Sequence, residues 1–295
     1  MIQEKIKGVG VALITPFNNY DVDYEALARM VDHVIAGGVD YIVALGSTAE
    51  TATLSLAERQ QVLDFIVKRA EGRVPIVAGM GTNDTHALVE QLRTFDLSGT
   101  VAILSVVPYY NKPSQEGIYR HYMAVAEASP VPVILYNVPG RTGVNMTAET
   151  TLRLAHASDN IIAVKEASGD INQMQRIIDG RPDDFVVLSG DDGITVELVK
   201  RGGNGVISVA ANAFPEKFCR CVHDALEGRI EEAEAQMKGF VEPISLLFKE
   251  GNPTGVKTMT WAMELTGSEV RLPLVDGTEA LREAMKSVVA KYELR

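Results

Sequence analysis

Between residues 8 and 228, short apolar runs alternate with amphipathic segments eight times, and this rhythm restricts the fold more than any other property of the 295-residue chain. The runs are Gly10–Ile14, Tyr41–Leu45, Pro75–Ala78, Val101–Leu104, Val133–Tyr136, Ile161–Val164, Phe185–Leu188 and Val206–Val209. Each is short, rich in β-branched residues and followed by a polar or glycine-bearing loop, so each reads as a strand buried on both faces. Eight βα units predict an α/β fold closed into a (β/α)8 TIM barrel. A doubly wound open sheet is the rival, but no Gly-x-Gly-x-x-Gly follows the first run, which weakens its dinucleotide-binding form.

The intervening segments carry helix signals. Ser55-Leu-Ala-Glu58 has capping-box spacing and opens a helix whose face is expected to comprise Leu56, Val62, Leu63, Ile66 and Val67. Ser114 and Thr147 are expected to cap two more helices. After residue 228 only helical patterns remain, at about 229–249, 253–266 and 278–292, with Pro253 just inside the start of its helix. The expected organisation is a barrel over 1–228 carrying the site and a C-terminal helical extension over 229–295.

Composition narrows the function. A formal net charge of −11 without a basic run argues against nucleic acid and anionic membrane surfaces as partners. Cys219 and Cys221 lie two apart in a helical pattern, and neither a disulfide framework nor a zinc site follows from them. The five histidines are scattered without metal-ligand spacing, which favours structural or solvated roles. Met1–Lys7 lacks the apolar core of a signal peptide and no run approaches transmembrane length, so the expected compartment is the cytoplasm.

In a barrel of this kind the loops after the strand ends build the site. Gly46-Ser-Thr-Ala-Glu50 follows the second run, Pro108-Tyr-Tyr-Asn-Lys-Pro113 the fourth, and Asn137-Val-Pro-Gly-Arg-Thr-Gly143 the fifth. Lys165 ends the sixth and Ser189-Gly-Asp-Asp192 follows the seventh. Side chains alternate along a strand, so Ile161, Ala163 and Lys165 are expected on one face and Ile162 and Val164 on the other. A lysine on an apolar face loses hydration, which disfavours its ammonium and favours an amine able to attack a carbonyl. The alternative is an aliphatic stem on the strand with its head in water. Tyr136 ends the neighbouring strand and could shuttle protons, or could simply set its ring in the core. Ser47 and Thr48 read as a carboxylate cradle or an ordinary turn. Arg141 reads as a bidentate carboxylate clamp or as a rim salt bridge to Asp191 or Asp192.

Taken together, Gly46–Glu50, Pro108–Pro113, Tyr136–Gly143, Val164–Gly169 and Gly205–Val209 resemble the pyruvate-dependent class I aldolases, from about residue 6 to the end. The likeness is to the branch that condenses pyruvate with L-aspartate 4-semialdehyde, giving 4-hydroxy-tetrahydrodipicolinate in the first committed step towards diaminopimelate and lysine. It implies a lyase working without metal or organic cofactor, in a homo-oligomer, usually a tetramer of tight dimers. Lys165 would form the pyruvate imine, and Tyr136 would move protons through Ser47 to Tyr110 of a neighbouring subunit. Thr48 would bind the pyruvate carboxylate and Arg141 that of the semialdehyde, while Gly190 and Ile207 would line the pocket through their backbones.

Ser47 and Ala49 stand where that branch has threonine and glycine, so the loop must be right-handed at Ala49 or strained. Ser47 also resembles the N-acetylneuraminate lyases, the nearest enzyme alternative, whereas Arg141-Thr-Gly143 favours the condensing branch. A keto-acid-binding barrel without activity is the non-enzyme alternative, which loss of the lysine or tyrosine would have favoured. The resemblance further places a lysine effector site near Thr51, Ala52, Leu56, Arg59, Asn83, Ala87 and Tyr109. There Leu56 and Arg59 replace histidines and Ala87 a glutamate, so lysine is expected to inhibit weakly or not at all.

Overall fold

The computed structural model describes residues 2–292. Eight parallel strands close into a barrel: β1 Gly8–Ala12, β2 Tyr41–Ala44, β3 Ile76–Gly79, β4 Ala102–Val106, β5 Val133–Asn137, β6 Ile161–Glu166, β7 Val186–Ser189 and β8 Gly205–Ser208. Each pairs with its sequence neighbours, and β1 pairs with β8 to shut the ring. The α/β barrel is therefore the fold, and the open sheet is excluded. Helices α1 Tyr24–Ala36, α2 Leu56–Ala70, α3 Thr85–Thr94, α4 Gln115–Ala128, α5 Ala148–Ala157, α6 Ile171–Gly180, α7 Thr195–Lys200 and α8 Pro215–Leu226 surround it.

Strand alternation divides the core in two. Tyr41, Val43, Val77, Leu104, Ile134, Leu188 and Ile207 fill the barrel interior. Val9, Val11, Ile42, Ile103, Leu135 and Val187 instead join the larger cluster under the helices. The first strand begins two residues earlier than its apolar run, because its glycines are packing devices rather than breakers. A side chain on Gly10 would place Cβ 2.2 Å from the Tyr41 ring, which occupies that layer.

The expected caps form: Ser55 and Glu58 make a reciprocal capping box, and Ser114 and Thr147 accept from Gly117 N and Thr150 N. The face of α2 is shorter than expected, since Val62, Leu63 and Ile66 are buried while Leu56 is 61% exposed. Leu56 opens the helix, one turn before the face that meets the barrel.

Beyond α8, the pattern at 229–249 is two helices, α9 Ile230–Lys238 and α10 Val241–Lys249. Pro243 cannot donate an amide inside one continuous helix, but the first turn of a new one tolerates it. The next, α11, spans Thr254–Ala262, so Pro253 is its cap rather than an interior residue. The last is α12 Glu279–Lys291. Also absent from the sequence reading is a small antiparallel ribbon, Phe17–Asn18 with Asp21–Val22. Among the described residues no helix is long and apolar enough to cross a membrane, and no group of three or more His, Cys, Asp or Glu could hold a metal.

Candidate active site

Lys165 and Tyr136 are register partners on β6 and β5. Both turn into the barrel mouth, where Lys165 is 5% and Tyr136 7% exposed. The Lys165 Nζ lies 4.4 Å from the centre of the Tyr136 ring. Its head is thus buried against the tyrosine rather than extended into water. Gly190, after β7, leaves room for it, since a Cβ there would come within 3.1 Å of Lys165 Cε.

The route by which Lys165 reaches this face differs from simple alternation. Register with β5 shifts between Val133, opposite Ile161, and Ile134, opposite Ala163, leaving one extra residue in β6. Ile162 and Ala163 consequently both pack in the barrel interior, while Ile161 and Val164 lie under the helices. The expected pairing of Ile161 with Ala163 on one face is corrected by this bulge. Lys165 keeps the inward direction because alternation resumes after it.

A cavity of about 230 Å³ surrounds the two side chains. Of the site residues expected from the sequence, it gathers Lys165, Tyr136, Ser47, Thr48, Arg141 and Gly190. Ile207 does not line it; it packs in the interior cluster, and Val209 provides that wall. Tyr110 is also outside it, 87% exposed on the loop after β4. Arg141 forms no ion pair with Asp191 or Asp192 among the described residues; its Nη2 donates to the Asn252 carbonyl (3.0 Å).

The loop after β2 resolves the question posed by Ala49. Ser47–Ala49 is a right-handed 3-10 turn, and the left-handed backbone falls on Leu45 (φ 57°) and Glu50 (φ 56°) instead. Ala49 is therefore not the strained residue. Glu50 uses its turn to send a carboxylate into the protein, where it pairs with Lys257 and accepts from Arg271 N (2.9 Å). Asp192 performs a similar service across the same rim, accepting from Val209 N (3.1 Å) and Ala210 N (2.9 Å). Burial pushes its carboxyl up to about 6, against the pull of these bonds.

Two site residues escaped the sequence reading because they come from the C-terminal helices. Phe248, on α10, and Asn252, just after it, both line the cavity. Asn252 Nδ2 donates to Thr48 Oγ1 (2.9 Å), so the residue joins the two candidate carboxylate-binding groups, Thr48 and Arg141. No strand-end signal could have located them. A second cavity of about 370 Å³ adjoins the first, sharing Ser47, Tyr136, Arg141 and Asn252, and is lined further by Glu50, Thr51, Ala52, Arg59 and Tyr109.

The sequence matches the model of the Dihydrodipicolinate synthetase family over residues 5–292. It is 52% identical over 296 positions to the 4-hydroxy-tetrahydrodipicolinate synthase of Phocaeicola vulgatus, covering 100% of both chains. With that of Flavobacterium psychrophilum identity is 51% over 275 positions, covering 93% of this chain and 94% of the relative. The fold superposes on a solved dihydrodipicolinate synthase from Thermotoga maritima with a TM-score of 0.96, at 35% identity, covering 98% of this chain and 99% of the other. For the enzyme from Aquifex aeolicus the values are 0.95, 38%, 98% and 99%. A keto-acid-binding barrel that has lost its lysine or tyrosine is not what this site presents, and on sequence, fold and the placement of Lys165 beside Tyr136 the chain belongs to the dihydrodipicolinate synthetase family.

Proposed function

We propose that this protein condenses pyruvate with L-aspartate 4-semialdehyde through an imine on Lys165, forming 4-hydroxy-tetrahydrodipicolinate. The observation that carries the mechanism is a buried lysine amine against a tyrosine ring in a cavity lined by hydroxyls and an arginine. The amine adds to the pyruvate ketone and the carbinolamine loses water, steps that need proton transfer at oxygen and nitrogen. Tyr136 serves as that donor and acceptor, with Ser47 next in the relay. Thr48 binds the pyruvate carboxylate. The protonated imine then acts as the electron sink for loss of a methyl proton, so the chemistry calls for neither metal nor organic cofactor. The enamine carbon attacks the semialdehyde aldehyde, whose carboxylate Arg141 holds by a charge-assisted fork. The semialdehyde's own amine finally displaces Lys165 and closes the ring.

Tyr110 completes the relay from a neighbouring subunit, in a homo-oligomer of tight dimers. Its backbone is left-handed (φ 73°) and its side chain is 87% exposed, a costly way to present a phenol that serves only its own chain. Mixing Lys165→Ala with Tyr110→Phe protein is expected to restore activity in hybrid dimers. No recovery despite measured subunit exchange would place the tyrosine outside the relay.

The main test follows the cyclic product after mixing both substrates. In parallel, borohydride with pyruvate is expected to leave a reduced three-carbon adduct on Lys165. Arg141→Ala is expected to raise the KM for the semialdehyde roughly tenfold or more while pyruvate trapping stays near the parent rate. An adduct on Lys112 or Lys257 would refute the assignment of the nucleophile, and equal damage to trapping would make Arg141 a structural residue.

A further inference from the structure

Behind the reacting pair lies a second pair that the chemistry does not use. Asn137 and Glu166 follow Tyr136 and Lys165, are likewise in register, and point the other way, under the helices. Both are fully buried. The remaining outward positions of these strands, Val133, Leu135, Ile161 and Val164, are apolar, as such a layer favours.

Glu166 is held by amides, and no lysine or arginine among the described residues pairs with it. Asn137 Nδ2 lies 3.1 and 3.0 Å from its two oxygens, Gln173 Nε2 donates at 2.9 Å and Ser168 N at 2.7 Å. Burial raises the pKa of this carboxyl while those donors pull it down. The network closes on itself: Asn137 also meets Asn145 Oδ1 (2.7 Å) and accepts from Met146 N (2.9 Å), and Asn145 donates to Gln173 Oε1 (2.9 Å). A carboxylate buried without a counter-ion is expensive compared with an apolar residue.

The bulge at the start of β6 supplies the reason for it. An extra residue makes the register of everything downstream depend on what re-pins it, and a slip of one residue would turn Lys165 outward and Glu166 into the cavity. Backbone ladders are indifferent to such a slip; a carboxylate matched to one amide is not.

We propose that Glu166 and Asn137 are positioning residues for the reaction, a side-chain clamp that holds Lys165 and Tyr136 at the same height in the cavity. The proposal rests on the reading of Lys165 as the imine-forming residue. Its test is a cycle of Glu166→Gln, Asn137→Asp and the double variant, in which a carboxylate again faces an amide but from the opposite strand. Each single change is expected to slow borohydride trapping of pyruvate, and kcat, by about tenfold or more, with KM changed less than about threefold. The double variant is expected to recover at least about tenfold over Asn137→Asp alone. Thermal unfolding of the same samples separates this from stability. Singles that melt earlier yet trap pyruvate at the parent rate, or a double no better than the worse single, would overturn the clamp. Should Glu166→Gln fail to fold, Gln173→Leu opens the network from its far end and is expected to slow trapping about threefold, parent-rate trapping again overturning the clamp. If the parent's own adduct lies on another lysine, the reading beneath fails and the clamp with it, an outcome distinct from full-speed variants with the adduct on Lys165.

Discussion

Two buried lysines flank the loop after β2, and they are treated in opposite ways. Lys165, at the barrel mouth, faces a cavity and a tyrosine ring and pairs with no carboxylate among the described residues. Lys257, on α11, is fully enclosed, paired with Glu50, bonded to the Glu269 carbonyl (2.9 Å) and set 4.0 Å from the centre of the Phe17 ring. Burial pulls the Lys257 ammonium down to about 8, with Glu50 opposing it. Arg271 extends the cluster, donating to the Thr53 and Tyr20 carbonyls and pairing with Glu58 (2.6 Å). Burial alone therefore does not mark a nucleophile. What separates the two is room for a substrate on one side and a dedicated counter-charge on the other.

The sharpest break of this contrast is to remove the counter-charge's partner. Lys257→Met leaves Glu50 buried and unpaired, a change that typically costs about 3–5 kcal/mol. The Ser47–Thr48 turn should loosen with it, because Glu50 ends that turn. Adding Glu50→Leu is expected to return most of the lost stability, since an apolar pair carries no uncompensated charge. Denaturant midpoints across the three proteins decide this, and a single variant as stable as the parent would deny the cluster its structural role.

A smaller effect is expected on acidification. The Arg271 bond holds the Glu58 carboxyl down at about 2, from its ordinary 4.5. A depressed carboxylate stabilises the fold fully above pH 4.5, and that contribution fades as the pH falls towards 2. Glu58→Gln should therefore be less stable than the parent at neutral pH, and the gap should close on acidification through this window. A gap independent of pH would deny the Glu58 charge a part in the stability.

Least effect of all is expected from free lysine offered to the 370 Å³ cavity between the two regions. An incoming ammonium needs a carboxylate. Glu50 is engaged by Lys257, Glu90 by Arg93 (2.6 Å), and Arg59, which lines the cavity, repels cations. The residue at 87 is alanine and Leu56 is exposed. Half-inhibition below about a millimolar, a binding free energy near −4 kcal/mol, would contradict this reading.

How much of this was legible beforehand follows from what is local. The eight strands, the caps at Ser55, Ser114 and Thr147, and a lysine beside a tyrosine at two strand ends all follow from periods and side-chain chemistry a few residues wide. So did the cluster of polar loops on one rim, because parallel strands must all end on the same side. Ranges over which the backbone departs from its period were not legible. The bulge that sends Ile162 and Ala163 to one face depends on pairing with β5, which no single strand encodes. The break before Pro243 was visible in principle, yet periodicity ran across it.

Long-range contacts lay wholly beyond the sequence. Asn252 meets Thr48 across 204 residues and Arg271 meets Glu50 across 221, and only the folded chain brings them together. The sequence by itself determined the barrel and the residue types at its mouth, since burial pattern and chemistry are properties of short segments. The tertiary structure decided which buried lysine faces a cavity and which a carboxylate, because a counter-charge is a neighbour in space and not in sequence.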